Sequence, residues 1–463
     1  MMQPSNFAIL EDKVLAKSAV ISVLGLGRIG LPTAVEFASH GFRVIGVDIN
    51  ASLLDDLKKN KTFVDEPRLE ELLVACNEKK MIEYSNDTVH AIQNSDFIII
   101  CMPTPINEDM GPDYSIIKQV SATIGKNLRK NQVIIVESSV SPTTIERLML
   151  PIIQGESKLV LNQDFGICSC PERADPGKIV DNFDKVPRII GGSSAEVTGL
   201  VTKLYASITK AKIVQVSTPG TANAIKLTEN IFRDVNIALV NELAVLYELL
   251  GIDIKEVIAG CSTKYNFQPH YPGPGVGGPC LPANPYYIFK DAARVNYIPF
   301  LIRVAREVND RMPEHVKDLV LKALNMAGIP INGTTVTVLG VSYKANVRDI
   351  QISPALKVID LLAQLNAKIK IYDPYFKGEQ INGRQGCNSL EEAVSGTSAI
   401  IILTDHDEFK RIDFKMLHER VTRMIIIDSR NIYNLDQFPE GTIYCGVGRP
   451  IQVVSRASKK KNP

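Results

Sequence analysis

The apolar, β-branched run Ala19 to Leu24 feeds directly into Gly25-Leu26-Gly27-Arg28-Ile29-Gly30, and a helical pattern from Pro32 through Ser39 follows. A second strand, Val44 to Val47, then ends on Asp48. This order of strand, glycine turn, helix and strand constrains the fold more than any other feature, because it specifies a parallel βαβ unit. In such a turn the glycines permit a tight bend, let the N–H groups of the Gly25–Gly30 segment, Arg28 and Ile29 included, approach a pyrophosphate, and bring helix and strand close. Asp48 lies 18 residues after Gly30, where a carboxylate binds ribose hydroxyls and repels a 2′-phosphate, so NAD is favoured over NADP. The bland alternative is a structural turn followed by an ordinary strand-end Asp.

Asp96 to Cys101 and Gln132 to Val136 add buried strands, and the second half repeats the theme with Thr335 to Leu339, Lys368 to Tyr372, Ala399 to Leu403 and Met424 to Ile427. Phe97-Ile98-Ile99-Ile100 runs into Thr104 as Ile400-Ile401-Ile402-Leu403 runs into Thr404, an architectural pseudo-repeat. Between the halves, Thr221 to Leu250 holds neither Gly nor Pro, carries Ile225, Ile231, Val235, Leu239 and Leu243 at helical spacing, and is bracketed by Gly220 and Gly251. At about 1.5 Å per residue it reaches ~45 Å, enough to join two domains and offer a homodimer surface. The expected architecture is α/β, with two Rossmann-like doubly wound parallel-sheet domains joined by a long central helix. Its parts are an NAD-binding domain over 1–215, a central helical and dimerisation domain over 216–325, and a second nucleotide-binding domain over 326–463.

A chain of 463 residues with 45% hydrophobic content is long enough for two or three cores. The net charge of +1 supplies no field for nucleic acid, and the short tail with Lys459, Lys460 and Lys461 reads as solvated. No apolar run approaches the ~20 residues of a membrane span and no leader-like segment opens the chain, so a cytoplasmic enzyme is expected. Cys168 and Cys170 have the wrong spacing for a CxxC element, and the six histidines are dispersed, so no metal site is readable.

After Leu339 there is no second GxGxxG; Gly340 leads into Lys344 and Arg348, read either as a basic, helix-opening nucleotide site or as two solvated loop residues. Pro269 to Pro285 is dense in Pro and Gly, hence a rigid loop, and it holds Cys280 within Gly275-Val276-Gly277-Gly278-Pro279-Cys280-Leu281-Pro282. Periodicity alone leaves Cys280 equally a nucleophile or an unusual loop cysteine.

The glycine turn, Pro103-Thr104-Pro105, Glu137-Ser138-Ser139-Val140, Pro171-Glu172-Arg173, Lys226 with Asn230, the Cys280 loop, and Asp349 through Pro354 together make the chain resemble the UDP-glucose/GDP-mannose dehydrogenase family over essentially its whole length. The resemblance implies oxidation of C6 of a nucleotide-linked sugar to a carboxylate, with two NAD per turnover and Cys280 as covalent nucleophile. It implies that Lys226 and Asn230, one helical turn apart, meet the developing alkoxide and oxyanion, with Lys226 also favouring the thiolate. It further implies that Glu172 helps activate the hydrolytic water, that Pro103, Thr104, Ser139 and Arg348 contact NAD, and that Arg173, Gly277, Tyr343, Lys344 and Arg430 contact the UDP-sugar. Without the family, Glu172 reads as a turn carboxylate, Lys226 and Asn230 as a solvent-facing stripe, and Arg348 and Arg430 as surface arginines.

The chain departs from many relatives in having Asn284, rather than an acid, four residues after Cys280, and Pro279 where many N-acetylhexosamine relatives have His. An amide orients a water but is no base at neutral pH, so more of the hydrolytic step is expected to fall on Glu172. Pro171-Glu172-Arg173-Ala174-Asp175-Pro176-Gly177 and Arg306-Glu307-Val308-Asn309-Asp310-Arg311-Met312-Pro313 resemble enzymes acting on UDP-N-acetylmannosamine or UDP-N-acetylglucosamine. UDP-glucose, UDP-galactose and GDP-mannose are weaker options. Rival classes are a two-electron 3-hydroxyacid dehydrogenase, which has no use for Cys280, and a non-catalytic sugar-nucleotide binder.

Overall fold

The computed structural model describes residues 7–64, 66–107, 111–173 and 177–455. Lys459, Lys460 and Lys461, and Ala174, Asp175 and Pro176 of the Pro171–Gly177 motif, lie outside the described residues. The chain divides into two compact units, Met1–Glu229 with Tyr286–Ile298, and Asn230–Pro285 with Pro299–Pro463.

The first unit holds β1 (Val20–Leu24), β2 (Arg43–Val47), β3 (Ile82–Ser85), β4 (Phe97–Ile100), β5 (Gln132–Val136), β6 (Phe165–Ser169), β7 (Arg188–Gly192) and β8 (Ile213–Val216). They form one sheet in the order β3-β2-β1-β4-β5-β6-β7-β8. Pairing is parallel from β3 through β6, and β7 then runs antiparallel to β6. Successive residues of the central strands serve opposite cores: Val23, Ile99 and Ile135 pack on one face, Leu24, Ile98 and Ile134 on the other. Helices therefore cover both faces, which is why these strands read as unbroken apolar runs.

The second unit repeats this with β9 (Thr335–Leu339), β10 (Lys368–Tyr372), a short hairpin of β11 (Gln380–Ile381) and β12 (Arg384–Gln385), then β13 (Ala399–Ile402), β14 (Ile425–Asp428), β15 (Ile443–Gly446) and β16 (Arg449–Val453). The main sheet runs β10-β9-β13-β14-β15-β16, parallel except for the terminal β15–β16 pair. Its order β10-β9-β13 matches β2-β1-β4, so the pseudo-repeat in the sequence is a repeat of topology.

The central helix spans Pro219–Leu250, 32 residues and so about 48 Å at 1.5 Å per residue. Gly220 falls inside its first turn rather than before it, and Gly251 ends it at φ +73°. The buried face is not the apolar series read from the spacing. Leu239 is 52% exposed, whereas Asn223, Asn230, Asp234 and Asn241 are buried beside Leu227 and Ala238. No helix among the described residues is long and apolar enough to cross a membrane.

Candidate active site

The glycines of the first turn divide their work as their chemistry requires. Gly25 adopts φ +93° and its N–H donates to the Val47 carbonyl at 2.8 Å, closing the bend. A Cβ on Gly30 would overlap the Gly25 carbonyl oxygen, so the helix Gly30–Ser39 packs as close as backbone permits. A Cβ on Gly27 would meet nothing within 4 Å, which leaves the backbone open where a pyrophosphate would lie. Asp48 is half-buried; its Oδ2 accepts from the Leu26 N–H at 3.0 Å and its Oδ1 from the Asn50 N–H at 2.9 Å.

This turn follows β1, and the segments after the neighbouring β4 and β5 lie at the same end of the sheet, beside the point where strand order reverses. Thr104 Oγ1 donates to the Ser139 carbonyl at 2.7 Å, which joins two of the expected cofactor residues, and the Tyr287 hydroxyl bonds Thr104. Pro103 and Arg28 are exposed and Ile29 half-buried on the same loops. The open glycine backbone, the strand-end acid and the switch-point position fit NAD.

A buried polar cluster gathers residues following β5 and β6, Arg188 of β7, and Thr33 and Tyr205 of the helices Gly30–Ser39 and Ala195–Ala206. Glu172 is 6% exposed; its Oε2 accepts from Arg188 Nη1 at 2.5 Å and its Oε1 from the Arg173 N–H at 2.7 Å. The Arg188 guanidinium lies over the Phe183 ring at 4.4 Å. Glu137 accepts from Thr33 Oγ1 at 2.9 Å and from the Tyr205 hydroxyl at 2.6 Å. Burial pushes the Glu137 carboxyl up against the opposing pull of Arg188. Glu172 is thus a fixed, ion-paired carboxylate, and Arg173 is committed as well: Nε donates to Glu229 Oε2 at 2.9 Å, Nη2 to Glu229 Oε1, and Nη1 to the Pro187 carbonyl at 2.6 Å.

In the second unit, Cys280 is exposed at the end of a loop held from several sides. The Gly278 N–H donates to the Gln351 carbonyl at 3.0 Å, and Gly278 adopts φ +92° with space for a Cβ blocked by the Tyr343 ring at 2.7 Å. A Cβ on Gly277 would lie 2.7 Å from the Ile352 carbonyl oxygen, and one on Gly273 2.9 Å from Arg430 Nη1. Glycine is required because Tyr343, Ile352 and Arg430 press on the loop backbone. Burial pushes the thiols of Cys76, Cys101, Cys168, Cys170, Cys387 and Cys445 up, away from the thiolate.

The polar face of the long helix orders its surroundings. Asn230 Nδ2 donates to Asn284 Oδ1 at 2.5 Å, and Lys226 stands half-buried one turn earlier on the same face. Asp234 Oδ1 accepts from Arg306 Nη1 at 2.5 Å and from Asn309 Nδ2 at 2.9 Å; Asn309 Oδ1 accepts from Asn241 Nδ2 at 2.9 Å; and Asn241 Oδ1 accepts from the Gly273 N–H at 2.9 Å. This chain of bonds fixes the root of the Cys280 loop to the helix.

The helix expected directly after Gly340 is absent: Lys344 and Arg348 sit in a loop, and the next helix starts at Pro354, capped by Ser353. Lys344 is half-buried there. Arg348 Nη2 donates to both Glu379 oxygens at 2.7 Å and Nε to the Tyr375 carbonyl at 3.1 Å, while Arg430 Nε donates to the Leu403 carbonyl at 3.0 Å. Sequence reasoning missed Arg188, Asp373 and His406. Only Asp373 carried a signal, standing at the end of β10 as Asp48 stands at the end of β2.

A glycine-turn Rossmann unit, a second Rossmann unit and an exposed loop cysteine define a dinucleotide-dependent dehydrogenase class. The family models agree. Residues 19–209 match the NAD binding domain of the UDP-glucose/GDP-mannose dehydrogenase family, 220–311 its central domain and 337–435 its UDP binding domain. The chain is 37% identical to the UDP-N-acetyl-D-mannosamine dehydrogenase of Pyrococcus horikoshii, over 93% of this chain and 99% of that one. It is 33% identical to the UDP-N-acetyl-D-glucosamine 6-dehydrogenase of Salmonella typhi, over 85% and 91%. The solved P. horikoshii UDP-D-ManNAc dehydrogenase superposes with a TM-score of 0.86 at 36% identity, covering 93% of this chain and 99% of that one. The chain belongs to the UDP-glucose/GDP-mannose dehydrogenase family and is an NAD-dependent enzyme.

Proposed function

We propose that this enzyme oxidises C6 of a UDP-N-acetylhexosamine, UDP-N-acetylmannosamine or UDP-N-acetylglucosamine, to the carboxylate through Cys280. The observation that carries the proposal is the exposed Cys280 on a loop locked by Tyr343, Ile352 and Arg430. Two relatives that act on these sugars, by name, support the substrate.

NAD, when bound, accepts the hydride in each of two oxidations. The alcohol first loses a hydride and a proton to give the aldehyde. The Cys280 thiolate adds to the aldehyde carbon, and the thiohemiacetal loses a second hydride and proton to become a thioester. Water then cleaves the C–S bond, releasing the acid and the thiol. Lys226 and Asn230 meet the oxygen on which charge develops, and Glu172, acceptor-only in its ion pair, orients the attacking water. Asn284, bound to Asn230, helps order that water without acting as base.

Dimerisation is part of the same reading, supported by Phe232, Leu239 and Leu246, exposed at seven-residue intervals on the long helix. A monomer in light scattering at working concentration would remove it. A cytoplasmic setting suits an enzyme that draws on NAD and nucleotide sugars. The test of the reaction is to mix purified protein with NAD and a panel of UDP-sugars and GDP-mannose. Two NADH per N-acetylhexosamine supports the proposal; one indicates a simple alcohol dehydrogenase, and none with binding retained indicates a non-catalytic binder.

A further inference from the structure

The turn after β9 reproduces the turn after β1 atom for atom at its start. The Gly340 N–H donates to the Tyr372 carbonyl at 2.9 Å with φ +86°, as the Gly25 N–H donates to Val47 at 2.8 Å with φ +93°. The Val341 N–H donates to Asp373 Oδ2 at 2.8 Å, as the Leu26 N–H donates to Asp48 Oδ2 at 3.0 Å. Beyond that point the two diverge. Asp48 is half-buried beside an open backbone, whereas Asp373 is 0% exposed. Oδ1 of Asp373 accepts from the Tyr375 N–H at 2.9 Å, as Oδ1 of Asp48 accepts from the Asn50 N–H at 2.9 Å, but Oδ2 of Asp373 also accepts from the Ser342 N–H at 3.2 Å and meets His406 Nε2 at 3.1 Å. The Ser342 carbonyl is itself capped by Thr404 Oγ1 at 2.6 Å. Full burial and the filled Oδ2 keep this acid from facing a ribose.

The His406 ring, also 0% exposed, lies 5.2 Å from the Tyr375 ring and 5.4 Å from the Phe409 ring. Its Nδ1 accepts from the Asn346 N–H at 2.9 Å, so Nε2 carries the hydrogen and donates to Asp373. Asn346 adopts φ +59°, and its side chain is tied to the residue after His406: Nδ2 donates to Asp407 Oδ2 at 2.8 Å, and Oδ1 accepts from the Asp407 N–H at 3.1 Å. His406 therefore spans from the strand-end acid to the loop that carries Tyr343 and Lys344.

We infer that His406 is a positioning residue for the substrate's nucleoside diphosphate: it takes the place a ribose has in the first turn, turns Asp373 into an internal anchor, and holds the Tyr343–Asn346 segment where it meets UDP. The inference rests on the reading that Tyr343 and Lys344 contact the nucleotide.

Two substitutions separate the ring nitrogens. Asn at 406 keeps an acceptor near Nδ1 and loses the bond to Asp373; Gln keeps a donor near Nε2 and loses the bond to Asn346. Calorimetric titration of the full chain with UDP, and separately with NAD, reads both. His406→Gln should weaken UDP binding about tenfold or more, His406→Asn clearly less, with NAD affinity unchanged in both. UDP affinity equal to the parent's in a folded His406→Gln overturns the inference. Lys344→Ala distinguishes the underlying reading: unchanged UDP affinity there removes that reading, whereas weakening there with none in His406→Gln removes His406 alone. Should a position-406 variant not fold, Asp407→Ala, altered at an exposed residue, must still weaken UDP binding; no change overturns the clamp.

Discussion

Asn230 and Asn284 form a buried amide pair, Nδ2 of Asn230 to Oδ1 of Asn284 at 2.5 Å, and the Asn284 N–H donates to the Cys280 carbonyl at 2.9 Å. Asn284 is thus a neutral strut between the long helix and the cysteine loop. Asn230→Leu leaves the Asn284 oxygen buried without this donor and should cost about 1–3 kcal/mol in urea unfolding. The Asn230→Leu/Asn284→Leu double variant should lose less than the sum of the two single losses.

Arg188 is 4% exposed and neutralises the buried Glu172. Removing the cation alone, in Arg188→Met, strands that carboxylate and should lower stability by about 3–5 kcal/mol. A denaturation midpoint equal to the parent's would show that the pair bears no such charge.

The sheets were legible because helices cover both faces of each, which makes strands such as Val133–Val136 and Ile400–Ile402 unbroken apolar runs. Strands β3, β8 and β16, partly exposed at sheet edges, and β6, β7 and β15, whose apolar runs are broken by Gly or Cys, lack that signal and were not read. The long helix was legible from its length, but its working face was not. Asn223, Asp234 and Asn241 are buried by partners distant in sequence, Ser169, Arg306 and Asn309, so spacing alone selected the apolar side. The ties of Arg173 to Glu229 and of His406 to Asp373 are long-range in the same way.

Glu36, buried in the helix after the glycine turn, has its carboxyl pushed from the ordinary 4.5 to about 7, by burial first and by Asp184 second, against Arg68 and Arg188. Between those values the folded chain holds a proton that the unfolded chain releases, so stability falls as pH rises through this window and levels off above it. The loss attributable to Glu36 is at most about 3 kcal/mol. Glu36→Gln should flatten the melting temperature between pH 5 and 7; an unchanged slope would assign the pH dependence elsewhere.

Gly278, at φ +92° against the Tyr343 ring, tests the rigidity of the cysteine loop. Gly278→Ala should push the loop off Tyr343 and lower kcat by about 100-fold, on the scale expected when reacting groups shift by about 1 Å. NAD affinity, read by fluorescence titration, should not change.

The most direct test of covalent catalysis is product analysis of Cys280→Ala by mass spectrometry, in parallel with titrations of NAD and UDP. The variant should bind both ligands like the parent and form no uronic acid. Acid formed at the parental rate would contradict the role of Cys280.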